Sequence, residues 1–98
     1  MAYMKPTLAQ FCECVRTNRY IVATHAAEEM DDDGLTIFDV ERIILAGQVV
    51  ERQKDKDPPD TKFLIRGPTL DGEDAFVVLK PGPTEKLIIV TVFRDFYE

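Results

Sequence analysis

The sequence predicts an α+β fold, with two to three N-terminal helices packed on one face of a four-stranded antiparallel sheet. Three observations predict it. Up to Gly47 the apolar residues recur every three or four positions, and after it every second position. Turn residues (Asp-Pro-Pro-Asp, Asp-Gly, Pro-Gly-Pro) cut the second half into four strand-like runs. Helices first and strands afterwards is the order of a layer of helices on a sheet. With 98 residues, 45% of them apolar, the chain has enough for one core, so residues 1–98 are expected to be a single domain.

Each element has its local reason. Leu8, Phe11, Cys12 and Val15 form an apolar stripe behind Pro6, which predicts a helix over 7–17. "NRYIVA" is a short extended or linking segment. A second helix starts at Thr24 or His25 and stops near Gly34, which suits the left-handed position after a helix. Thr36 is a good N-cap for a third, with Asp39 completing a capping box. Ile37, Val40, Ile43 and Ile44 form its apolar stripe, and Gly47 ends it.

"QVVERQK" is strand-like, and the paired prolines of "DKDPPD" make a turn. In "TKFLIRG", Phe63 and Ile65 share one face while Lys62, Leu64 and Arg66 share the other. Asp71-Gly72 is a hairpin turn before the strand "AFVVLK". "KLIIVTVF" is apolar on both faces, which predicts a central strand. The expected core is Ile37, Val40, Ile44, Phe63, Ile65, Val77, Ile89 and Phe93.

The net charge is −6 and the sequence pI about 4.7, a poor balance for binding nucleic acid without local clustering. Charge is polarised, however. Eight of the 12 basic residues lie from Arg52 onward, and the acidic run Glu28 to Asp33 lies in the other half. No apolar run approaches the roughly 20 residues of a membrane span, and the N-terminus lacks the zones of a signal peptide. The protein is expected to be cytoplasmic and not to engage a membrane. Cys12 and Cys14, two residues apart, are badly placed for a disulfide and too few for structural zinc.

The stretch "HAAEEMDDDG" holds the only histidine, His25, and five carboxylates. Glu29, Asp31, Asp33 and Gly34 match positions 1, 3, 5 and 6 of a calcium loop, but position 12, which must be a bidentate acid, is Val40. A transition-metal site drawn from His25, Glu28, Glu29 and Asp32 has one imidazole only. No metal and no cofactor is expected. The ordinary reading is a solvated acidic helix face, yet three aspartates at the negative end of a helix are each disfavoured by ~0.3–1 kcal/mol. Basic side chains from the strands are therefore expected to meet some of these acids, with Arg52, Lys62 and Arg66 as candidates and a buried Glu29–Arg pair as one form.

"HAAEEMDDDGLTIFDVERIILAGQVVER" resembles a bacterial family labelled domain of unknown function, family 4258. The matching positions are His25, Ala26, Met30, Leu35, Thr36, Val40, Glu41 and Gly47, and "KFLIRGPTLDGEDAFVVLK" and "KLIIVTVF" resemble the family's strands. The resemblance covers about residues 20 to 94. It departs at two positions where the signature has arginine and this chain has Glu29 and Asp33, so the chain looks like a variant branch. The resemblance implies a distant relation to RelE/ParE-like toxins, which carry helices on one face of an antiparallel sheet and cleave messenger RNA, often on the ribosome. It also implies a small zinc-finger antitoxin as protein partner.

The residues alone support a weaker statement. RNA cleavage by the 2′-hydroxyl needs a base, an acid and cations for the phosphorane charge. Imidazole is the one side chain that ordinarily titrates near neutrality, which makes His25 a candidate. Lys62 and Arg66 share a strand face, Lys80 and Arg94 fall on neighbouring strands, and Tyr97 offers a ring or a proton. The catalytic candidates are therefore His25, Lys62, Arg66 and Lys80, expected to border one cleft with a cationic floor. The expected function is a RelE-like toxin that binds RNA or cleaves it as a metal-independent endoribonuclease. The alternative is a non-catalytic protein-interaction module, in which His25 is a helix-start residue bonding a carboxylate or backbone group and the cations are solvated strand positions.

Overall fold

A computed structural model describes residues 8–56 and 59–94. Three helices and five strands follow in the order α1 (Leu8–Arg16), β1 (Tyr20–Val22), α2 (Thr24–Asp32), α3 (Ile37–Ala46), β2 (Gln48–Lys56), β3 (Pro59–Pro68), β4 (Asp74–Pro81) and β5 (Leu87–Arg94), with one short 3-10 turn at Pro83–Glu85. The fold is α+β, as the sequence predicts. Residues 57–58 of the expected Asp-Pro-Pro turn lie outside the described residues.

Helix ends follow their capping chemistry. α2 starts after Ala23 and closes in a Schellman motif. Leu35 N donates to Met30 O (2.7 Å) and Gly34 N to Asp31 O (3.3 Å), with Gly34 at φ +67°. Met30 and Leu35, three residues before and two after the C-cap Asp33, are both buried. The capping box at α3 is present: Asp39 N donates to Thr36 Oγ1 and Thr36 N to Asp39 Oδ2. Gly47 is required where α3 meets β3. A Cβ there would stand 2.3 Å from Ile43 O and 2.4 Å from Arg66 O, so no side chain fits between helix end and strand.

The sheet differs from the expected four antiparallel strands. It has five, in the order β1-β5-β4-β3-β2, and is mixed because β1 pairs parallel with β5 (Tyr20↔Leu87 to Val22↔Ile89). The "YIV" segment, expected as extended or linking, is thus an edge strand. Three residues show too little alternation to mark a strand, and the partner lies at the other end of the chain, where no local turn signals the pairing. β5 is internal, as its two-faced apolarity predicts.

All three helices lie on one face. Phe11 and Val15 of α1, Ala26 and Met30 of α2, and Val40, Ile43 and Ile44 of α3 pack on Phe63, Ile65, Val77, Leu79, Ile89 and Val92. Two expected core residues behave differently. Ile37 packs at the margin, half-buried. Phe93 leaves the core altogether, because β5 bulges: Leu79 pairs with Ile89 and Val78 with Thr91, so Val90 is extra. The alternation shifts by one, Val92 turns inward, and Phe93 stacks on Phe76 on the opposite face (ring centroids 5.0 Å apart).

Candidate functional site

The face of the sheet opposite the helices is the candidate site. Alternation puts Leu64, Phe76, Val78, Ile88 and Phe93 there, each half-buried by its neighbours although no described element covers them. The same alternation sends Lys62, Arg66 and Lys80 to this face, so three of the four candidate residues share one surface. Each cation is held by a carboxylate. Lys62 Nζ lies 3.5 Å from Asp55, Arg66 Nε 3.1 Å from Asp74, and Lys80 Nζ 3.1 Å from Asp60. Arg66 also lies over the Phe76 ring, 5.8 Å from its centroid. The Lys80 ammonium, hydrogen-bonded to Asp60, holds that carboxyl below the usual carboxylate range.

His25 does not join them. It projects from the first turn of α2, on the helix layer at the β5 edge, and its side chain is 69% exposed. Its Nε2 lies 3.5 Å from Glu29 Oε1, one turn along the same helix. Glu29 Oε1 in turn accepts from Val92 N (3.2 Å). Tyr97 lies outside the described residues.

The acids of α2 have partners other than the expected ones. Arg52, Lys62 and Arg66 do not reach them. β1 is short, so the amides of Val92 and Arg94 lack a strand neighbour on that side, and Glu29 and Asp33 accept from them instead (3.2 Å each). A basic side chain does arrive, from Arg94, but it bonds the Asp33 carbonyl (2.9 Å) and so caps the helix end. Val40, the twelfth position of the calcium spacing, is buried in the core. Among the described residues, no three of His, Cys, Asp and Glu converge where a metal ion could sit.

The remaining groups are poor reagents. Cys12 is buried against Ile44 O, and burial pushes the Cys14 thiol up, away from thiolate. A shallow cavity of about 540 Å³ opens beside Arg66, lined by Ala46, Gly47, Gln48, Gly67, Pro68 and Asp74. Its polar groups are an ion pair and an amide, suited to holding a ligand and not to moving a proton. Sequence reasoning missed the aspartates that neutralise the cations. The signal was there: Asp55, Asp60 and Asp74 fall on the open face once the hairpin registers are known.

No described helix is long and apolar enough to cross a membrane. No curated protein and no solved structure matches the chain. A family model does match, over residues 22–94, from β1 to the end of β5. The chain therefore belongs to the family described as Domain of unknown function (DUF4258).

Proposed function

We propose that the protein is a non-catalytic interaction module that docks a partner protein on the open face of its sheet. One observation carries this reading. Leu64, Phe76, Val78, Ile88 and Phe93 form an apolar centre, and the Lys62–Asp55, Arg66–Asp74 and Lys80–Asp60 pairs border it. An apolar centre inside a polar rim is the anatomy of a protein interface. Aromatic rings and an arginine are the residues that dominate such interfaces. Pairing of all three cations with carboxylates, and the separation of His25 from them, weaken the case for phosphoryl chemistry.

The test compares wild type with a Leu64→Glu, Phe93→Glu variant as baits in the source cells. A partner is identified from the wild-type bait, produced with the protein and weighed by sedimentation. The expected result is a stoichiometric complex that the variant cannot form. A complex that survives both substitutions overturns the reading.

The second reading is a RelE-like toxin acting on RNA or the ribosome and restrained by a zinc-finger antitoxin. It is favoured by Lys62, Arg66 and Lys80 sharing one face. It requires toxicity on expression that His25→Ala or Arg66→Ala relieves.

A further inference from the structure

Strand β2 is a sheet edge, and every one of its nine residues is exposed. Its charges are sorted by face. Glu51, Gln53 and Asp55 pair with Leu64, Lys62 and Asp60 and so belong to the open face. Arg52 and Lys54 pair with Phe63 and Thr61 on the helix side, where Lys56 follows at the next step. The Arg52 guanidinium lies over the buried Phe63 ring, 5.4 Å from its centroid, which confirms the side.

Two acids of the hairpin are engaged on the other face, Asp55 by Lys62 and Asp60 by Lys80. Among the described residues, no carboxylate lies within ion-pair distance of Arg52, Lys54 or Lys56. Among the described residues these three cations thus stand without a neutralising carboxylate, about 6.8 Å apart at two residues per step, on a chain whose net charge is −6.

We infer that Arg52, Lys54 and Lys56 form a second binding surface, a ridge that takes the phosphates of an extended single-stranded nucleic acid. Charged edge residues commonly serve only to block pairing with another strand. That role needs no sorting of sign between the two faces, and sorting places like charges about 6.8 Å apart along one strand, a repulsion that a polyanion removes. The ligand must carry its charge at regular intervals along its backbone, because the ridge presents point charges at a regular spacing of about 6.8 Å. A nucleic-acid strand, with one phosphate per nucleotide, does so; the charges of an acidic peptide follow its sequence and not a fixed repeat. The buried Phe63 ring offers no stacking surface, so the ridge reads phosphates and not bases. It lies apart from the surface proposed for a protein partner, and does not depend on that reading.

The experiment is fluorescence anisotropy with labelled oligothymidylate and oligouridylate of equal length, titrated at several salt concentrations. Single strands lose affinity with a log–log salt slope of about −0.7 per phosphate contacted, so three contacts give about −2. The expected result is equal binding of both oligonucleotides with that slope. Each of R52Q, K54Q and K56Q should remove about 0.7 of it, and the triple variant should abolish binding with an unchanged circular dichroism spectrum. R16Q with K86Q, cations outside β2 and outside the docking face, should leave the slope as it is. The inference is overturned if wild type binds neither oligonucleotide at low salt, or if the triple variant keeps wild-type affinity. It is overturned too if polyglutamate competes as well as the oligonucleotides at equal charge, which would make the ligand an acidic protein.

Discussion

Asp39 Oδ1 accepts a hydrogen bond from the backbone amide of Leu70 (2.8 Å), so the acid that caps α3 also fixes the loop between β3 and β4. Its other oxygen accepts from Thr36 N (2.8 Å) and Thr36 Oγ1 (3.1 Å). One carboxylate thus ties a helix start to a hairpin 31 residues away.

Replacing Asp39 by Ala removes a cap, worth ~0.5–2 kcal/mol, and the hydrogen bond to the Leu70 amide, worth a further ~0.5–1.5 kcal/mol. Burial raises the Asp39 pKa, but the hydrogen bonds from Leu70 and Thr36 outweigh it and hold the carboxyl below the ordinary value. A depressed folded-state pKa gives stability that is present above the unfolded value of about 3.9 and lost as pH falls through the lower folded value. Urea unfolding should therefore separate wild type from Asp39→Asn at pH 7 and bring them closer below about pH 4. A gap that persists undiminished in acid would show that the ionised oxygen is not what anchors the loop.

The bulge in β5 makes a sharp contrast between neighbours. Val92 is fully buried, while Phe93 lies on the open face. Val92→Asp should bury an unpaired charge and cost several kcal/mol. Phe93→Asp should cost far less, since the charge remains within reach of water. Melting temperatures of the two variants decide it, and the reverse order, with Phe93→Asp the more costly, would mean that the alternation runs unbroken to Phe93.

That contrast also marks where the sequence was legible. Capping at Thr36, the Gly34 stop, the Asp71-Gly72 turn and the Phe63/Ile65 face all rest on local chemistry, and local chemistry is visible in a string of residues. The bulge at Val90 is not, because Thr91 and Val92 suit either side of a strand and only the register with β4 decides. The parallel pairing of β1 with β5 joins opposite ends of the chain and has no local sign. For the candidate site, alternation alone put Lys62 and Arg66 on one face. The position of His25 depended on how α2 lies against β5, which no spacing within the helix reveals.

Tyr20 donates to Glu41 Oε2 at 2.5 Å, linking β1 to α3. Burial, together with that hydrogen bond and the Glu41 charge, pushes its phenol up to about 12. A raised folded-state pKa means stability is whole below the unfolded value, about 10, and is lost as pH rises toward 12. The wild-type minus Tyr20→Phe difference spectrum should therefore show phenolate appearing well above pH 10. Phenolate appearing near 10 in that difference would mean that the Glu41 bond does not persist in solution.

Glu29 and Asp33 of α2 both accept from backbone amides of β5. An acceptor is what these positions need, because β1 stops short and leaves the Val92 and Arg94 amides without a strand partner. Glu29→Gln keeps an acceptor oxygen and should cost little. Glu29→Arg has none to offer, leaves Val92 N unpaired, and should cost ~1–3 kcal/mol. Hydrogen exchange at the Val92 amide gives the local reading, with protection kept in the first variant and lost in the second. His25→Ala removes only an exposed contact to Glu29, worth ~0–1 kcal/mol, and should leave that protection intact. If Glu29→Arg protects Val92 as well as wild type does, the amide is satisfied without the carboxylate, and the two acids are merely solvated positions on a helix.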